Sequence, residues 1–177
     1  MKVLIVYGTT EGQTRKISQR IADHIDQKGH DAQLIDSTSL PKDLSIDAYD
    51  AVIVAASVHQ HRHQAALVHF VKDNLEHLQK KPTAFVSVGL ALVLEEDQQE
   101  AQEYVDQFLT ETGWQPTHTE LVAGALVYTQ YDFFKRQIMK FIVRKGGGPT
   151  DASQDYEFTD WEALSRFVDL FIENVGR

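Results

Sequence analysis

The residues best placed to do chemistry stand at the start of the chain. Thr9, Thr10, Glu11, Gly12, Gln13 and Thr14 follow the apolar run Val3-Leu4-Ile5-Val6-Tyr7, which stops at Gly8. A strand, a hydroxyl-rich loop and a helix start in that order gather backbone N–H groups and threonine hydroxyls around one point, where the helix dipole favours an anion. The chemistry this predicts is phosphate binding. The loop lacks the Lys-Ser/Thr ending of nucleotide-hydrolysing loops and the second and third glycines of the dinucleotide fingerprint. Its Thr-x-x-Gly-x-Thr spacing therefore suits a phosphate monoester. The simpler alternative is an ordinary strand-to-helix turn capped by Thr14.

Two further clusters carry titratable groups. His59, His61 and His63 alternate, so on an extended segment they would face the same way, as metal ligands can. No cysteine or nearby carboxylate completes a set, and no metal is assigned. As neutral imidazoles they would donate or accept hydrogen bonds and change charge near pH 6 to 7. Glu95, Glu96 and Asp97 form an acidic turn ahead of a helical pattern and read as capping.

Charge is unevenly spread. The chain carries a net −9, which excludes the basic footprint of a general nucleic-acid binder. Residues 132–145 run against this trend, with Lys135, Arg136, Lys140, Arg144 and Lys145 opposed only by Asp132. On a helical wheel Phe134, Ile138, Phe141 and Ile142 share one side, and Arg136, Lys140 and Arg144 line the other. Such a basic amphipathic helix suits an anionic membrane surface or an acidic or planar apolar partner, and the plain alternative is a helix with its charged face in water. Gly146, Gly147, Gly148 and Pro149 end it.

The elements that position these groups follow from apolar periodicity. Short blocks at Val3–Tyr7, Ala32–Ile35, Ala51–Ala56, Ala84–Val88 and Leu121–Val127 read as five buried strands. Ile17, Ile21 and Ile25 mark a first helix ending at Gly29. Leu67, Phe70, Val71, Leu75 and Leu78 mark a second ending before Pro82. A third spans about Gln98 to Thr112 and stops at Gly113, and a last runs from Asp160 to Val175 with Thr159 or Asp160 as its cap. Strand and helix alternate, which predicts an α/β three-layer sandwich with a five-stranded parallel sheet in the order 2-1-3-4-5 and a ligand at its carboxyl edge. A single domain is expected over 1–177, with 128–157 a functional insertion far longer than an ordinary connection. The chain has no cysteine, so redox chemistry would have to come from a bound cofactor. Lys2 leads directly into a strand, and no apolar run approaches the ~20 residues that span a bilayer, so a cytoplasmic protein is expected.

Several motifs in order carry a family resemblance. They are the phosphate loop, Ala56-Ser57-Val58, Ser87-Val88-Gly89-Leu90, Ala123-Gly124-Ala125-Leu126-x-Tyr128, the basic segment, Gly147-Gly148-x-Thr150-Asp151 and Thr159-Asp160-Trp161-Glu162. Together they resemble the flavodoxin-like, quinone-linked protoporphyrinogen oxidase family over essentially the whole chain. The resemblance implies a flavodoxin-like fold, FMN as cofactor, and oxidation of protoporphyrinogen IX to protoporphyrin IX with electrons passed to a membrane quinone. It implies that Thr9 to Thr14 hold the FMN phosphate, and that Ser57, Val58 and His59 with Ser87, Val88, Gly89, Leu90 and Ala91 flank the isoalloxazine ring. Tyr128, Phe134, Arg136, Lys140, Phe141 and Arg144 would meet substrate or membrane, placing the protein on the inner face of the cell membrane. No catalytic side chain is assigned, because the electron chemistry belongs to the cofactor. This chain reads Val58-His59-Gln60-His61-Arg62-His63 where close relatives carry an aromatic residue and a glycine, and it has Gly89 where they carry a polar side chain. The competing reading is a flavodoxin-type FMN electron carrier between proteins, which would have no small-molecule substrate.

Overall fold

Alternating apolar residues in the strands set the layers. The computed structural model describes residues 1–93, 98–127 and 154–176. In chain order the elements are β1 (Lys2–Gly8), α1 (Gln13–Gln27), β2 (Asp31–Asp36), β3 (Ala51–His59), β4 (Arg62–His63), α2 (Ala65–Asp73), α3 (Leu75–Leu78), β5 (Thr83–Gly89), α4 (Gln98–Thr112), β6 (His118–Ala123), β7 (Ala125–Leu126), β8 (Tyr156–Glu157) and α5 (Trp161–Val175). Among the described residues the main sheet runs β2-β1-β3-β5-β6, all parallel, with β4 turned back antiparallel on β3. This is the 2-1-3-4-5 order expected for the five parallel strands.

Each central strand divides its side chains between two cores. Val3, Ile5, Ile53, Val86 and Val88 meet α1 and α5, whereas Leu4, Val6, Val54 and Phe85 meet α2 and α4. Strands buried on both faces need continuous apolar runs, which is why β1 and β3 were legible as such. Ile17, Ile21 and Ile25 on α1 are fully buried. At such burial each contributes about 2 kcal/mol relative to an exposed side chain. Gly29 and Gly113 end α1 and α4 with φ of 82° and 69°, and their N–H groups bond back to Asp26 and Leu109. Asp160 caps α5, its Oδ1 accepting from the Ala163 N–H at 2.9 Å.

Three expectations about the elements need correction. The fifth parallel strand is His118–Ala123 rather than Leu121–Val127, with Ala84 paired to His118 and Gly89 to Ala123. As an edge strand it is only half covered, so polar His118, Thr119 and Glu120 belong to it and a search for apolar runs misses its start. The chain then breaks at Gly124, and β7 forms a separate antiparallel pair with β8, Leu126 opposite Tyr156. The second helix is also two, because Asn74 leaves helical geometry with φ −114° and ψ 12°, its side chain donating to the Phe70 carbonyl at 2.8 Å. Finally, His59, His61 and His63 do not form one extended row. Gln60 and His61 have φ of 49° and 65° and reverse the chain between β3 and β4.

Candidate functional site

The candidate site lies at the carboxyl edge of the sheet, where strand register brings three loops together. Gly8 at the end of β1 is opposite Ala56 on β3, and Ala56 is opposite Ser87 on β5. The loop of residues 9–12, the end of β3 and the end of β5 are therefore neighbours. Gly8 is required by close packing, since a Cβ there would stand 2.8 Å from the Leu67 side chain and 3.0 Å from Gln64.

The loop of residues 9–12 is shaped by Gly12, which starts α1 with φ 94° and ψ −17°. A left-handed residue at this point turns the chain into the helix, and glycine adopts it without strain. The Gly12 N–H donates to Thr9 Oγ1 at 2.9 Å, and the Lys16 N–H reaches back to the Gly12 carbonyl at 3.1 Å. The N–H groups of Gln13, Thr14 and Arg15 in between have no intrahelical acceptor, as at any helix start. No side chain caps this end, so the alternative of a Thr14-capped turn does not hold. Instead Thr14 is 1% exposed, and its hydroxyl is buried without a partner. A buried donor of this kind costs about 1–3 kcal/mol until an acceptor reaches it. Uncommitted N–H groups, the positive helix end and the orphaned hydroxyl all fit a phosphate monoester.

The other loop residues surround this point. Thr10 Oγ1 accepts from Gln64 Nε2 at 3.3 Å, which leaves the Thr10 proton free to donate. Burial pushes the Glu11 carboxyl above its ordinary value, and the charge of His59 opposes this. The Gln13 side chain points away from the loop, donating to Glu157 Oε2 at 3.2 Å and Thr159 Oγ1 at 3.0 Å. Only its backbone N–H remains for an anion.

The residues expected to flank a ring divide in two groups. Ser57, Val58 and His59 at the end of β3 are half-buried, as are Gly89 at the end of β5 and Leu90 and Ala91 just after it. Val58 packs beside Gly89, 3.6 Å from the position of a Cβ there. Ser87 and Val88 are buried in the sheet. The Ser87 hydroxyl pairs with His63 Nε2 at 2.9 Å, so it serves the core. His63 also packs edge-on against Phe85 and Phe108, at ring separations of 5.3 and 5.2 Å. Burial lowers its pKa to about 4. It is thus a neutral, half-buried residue at pH 7, and the expected change of charge near pH 6 to 7 does not apply to it.

Three groups at the site escaped the sequence reading. Gln64 bridges its two halves, with Nε2 bonded to both Ser57 Oγ and Thr10 Oγ1. Its position just before an apolar helix was the available signal. Glu157 on β8 accepts from Gln13, Lys16 and Trp161 Nε1, tying the start of α1 to β8 across more than 140 residues. The Thr159 hydroxyl donates to the Ala123 carbonyl at 2.7 Å, and the Gly124 N–H donates to the Gly89 carbonyl at 3.0 Å. The third group is the β3–β4 turn. Left-handed φ at two non-glycine residues costs roughly 1–2 kcal/mol each. His61 Nδ1 lies 2.6 Å from Tyr104 Oη, and that hydroxyl donates to Glu100 Oε1. Behind the hairpin, a cleft of about 110 Å³ lined by Arg62, His69, Tyr104 and Glu111 is too small for a flavin.

Tyr128, Phe134, Arg136, Lys140, Phe141 and Arg144 lie outside the described residues, as do Glu95, Glu96 and Asp97. Among the described residues no three His, Cys, Asp or Glu side chains are grouped to hold a metal ion, and no helix is long and apolar enough to cross a membrane.

Comparison with known proteins gives concordant matches. Residues 4–153 match the family model described as Flavodoxin domain. The chain is 32% identical to protoporphyrinogen IX dehydrogenase (quinone) of Escherichia coli K12, over 95% of this chain and 93% of that one. It is 33% identical to the Leishmania major protein of the same name, over 96% of this chain and 74% of that one. Among solved structures, oxidised flavodoxin 1 from Bacillus cereus superposes with a TM-score of 0.60 at 16% identity, covering 98% of both chains. The flavodoxin of Streptococcus pneumoniae TIGR4 gives 0.61 at 16% identity, covering 98% of this chain and 99% of that one. These likenesses carry the fold.

Proposed function

Since the chain belongs to the flavodoxin family and, within it, to that of the protoporphyrinogen IX dehydrogenases (quinone), we propose that it oxidises protoporphyrinogen IX to protoporphyrin IX with FMN as cofactor. The electrons pass on to a membrane quinone, and the conversion of protoporphyrinogen to protoporphyrin is a step of haem biosynthesis. The observation that carries this reading is the likeness to relatives of that name over nearly the whole of both chains.

The phosphate end of the site supports FMN. The N–H groups of Gln13, Thr14 and Arg15 and the hydroxyls of Thr9, Thr10 and Thr14 surround the phosphate. Bound FMN supplies the acceptor for each pair of electrons. Ser57 to His59 and Gly89 to Ala91 orient the ring, with Ser87 and Val88 behind them as sheet. Gln64 holds the two halves of the site at a fixed separation. Residues 128–157 form a functional insertion within a single domain, and Arg136, Lys140 and Arg144 provide cations for the substrate's carboxylates or an anionic lipid surface. Tyr128, Phe134 and Phe141 provide apolar contact.

The purified protein is expected to carry FMN, identified by mass, and to oxidise protoporphyrinogen IX faster when a quinone analogue is added. A chain that reduces partner proteins yet never turns over porphyrinogen would be an electron carrier instead. Thr14→Ala should weaken FMN about 5- to 30-fold, the scale of one hydrogen bond to a charged group, as read by quenching of flavin fluorescence. Unchanged affinity would leave the phosphate to the backbone alone. Replacing Arg136, Lys140 and Arg144 together by Gln should leave FMN affinity intact while removing about 1 kcal/mol of lipid attraction per charge. Liposome sedimentation and quinone-dependent turnover should then fall together, and retention of both would reduce the segment to a solvated face.

A further inference from the structure

The β3–β4 hairpin carries Ser57, Val58 and His59 on one arm, and its tip is held in an unusual way. His59 pairs with Arg62 and Val58 with His63, which leaves a two-residue turn of Gln60 and His61. Both have positive φ, the type I′ geometry that ordinarily selects Asn-Gly. Histidine visits that region more readily than most residues, but glutamine does not. The compensation is a side-chain tether. The Tyr104 hydroxyl has one proton and gives it to Glu100, so it accepts from His61 Nδ1–H, at 2.6 Å. Glu100 Oε1 itself stands 3.6 Å from the same nitrogen, and the two rings meet at 5.8 Å. The tip of the hairpin is thereby tied to α4, while its root is pinned by His63 against Phe85, Ser87 and Phe108.

We infer that His61 is a positioning residue for the flavin ring, acting through Tyr104 and Glu100 to hold the hairpin wall in one conformation. The inference rests on the FMN reading above. The two anchors have different consequences. His63 is packed against two core rings and bonded to buried Ser87, so its loss costs stability. The His61 side chain is 81% exposed, so its bonds compete with water and add little to global stability. What they fix is the local shape of the wall. A glycine at position 61 would accept the turn without strain but would release the tether, which leaves the hairpin free to sample other conformations. The loop of residues 9–12 belongs to a different connection, and its link to the hairpin runs through Gln64 and Ser57 at the root rather than through this tether at the tip.

The test is a double-mutant cycle with His61→Gly, Tyr104→Phe and the pair. FMN affinity is read by fluorescence quenching, inorganic phosphate affinity by calorimetry, and the ring environment by visible circular dichroism. Each single variant should weaken FMN about five-fold, the scale of one hydrogen bond. The double variant should bind no more weakly than the weaker single. The flavin dichroism should change alike in all three, and inorganic phosphate affinity should stay at the wild-type value. Independent, multiplying effects on FMN, an equal loss of phosphate affinity, or no change in any variant would each overturn the inference. A wild type that binds inorganic phosphate but no FMN would instead overturn the cofactor reading, and this inference with it.

Discussion

A Gly12→Asp variant is expected to fold and to lose flavin affinity by more than 100-fold. Position 12 faces open space, with nothing within 4 Å of where a Cβ would stand, so bulk is not the obstacle. The backbone there has φ 94°, which aspartate tolerates better than most residues at a cost of roughly 1 kcal/mol. The decisive term is charge. With the phosphate seated at this helix start as proposed, a carboxylate there would repel it, and two unit charges about 4 Å apart repel by about 4 kcal/mol at an effective dielectric constant of 20. Gly12→Asn separates the effects, because it has the same size and similar strain without the charge. Its loss should be only a few-fold. Equal losses for Asp and Asn in a fluorescence titration would mean that backbone shape, not electrostatics, governs the site.

The second large effect concerns stability in acid. His63 has a folded pKa of about 4 against 6.5 when unfolded, with burial as the cause. Between these values the unfolded chain binds the proton and the folded chain does not, so unfolding becomes easier as pH falls. The contribution is intact above about pH 6.5 and is lost progressively down to about pH 4. Its full size is about 3 kcal/mol, of which 2 to 3 should be gone by pH 4.5. Urea unfolding at pH 7 and pH 4.5 would measure it. A His63→Leu variant should be less stable at pH 7, because the Ser87 hydroxyl loses its partner, yet should lose about 2 to 3 kcal/mol less on acidification. An unchanged pH dependence would place the proton elsewhere.

Much of this was legible from residue types alone, for physical reasons that differ by element. β1 and β3 are covered on both faces, so burial wrote itself as unbroken apolar runs. α1, α4 and α5 showed one apolar stripe each and carried glycine or aspartate at their ends. The turn into α1 was legible because a glycine at a left-handed helix start with hydroxyls two residues either side is a local arrangement. What failed was not local. The edge position of β6 decides that polar His118 and Glu120 belong to a strand. The reversal at Gln60 and His61 uses residues that do not advertise a turn, and the partner that makes it tolerable is on α4. Gln64, Glu157 and Tyr104 act through contacts that only the assembled sheet creates, and no spacing in the chain announces them.

The two rungs between β7 and β8 have a consequence for how this chain can change. Because Leu126 and Tyr156 are paired, the backbone departs from the sheet edge and comes back to it at one place, and the strand order is indifferent to the length of chain between. Closing a longer connection costs only about 0.6 kcal/mol for each doubling. The main sheet should therefore tolerate a change in the length of chain between the rungs, which urea unfolding of lengthened or shortened variants would check. That seam is four residues wide, with Ala125 and Leu126 on one side and Tyr156 and Glu157 on the other.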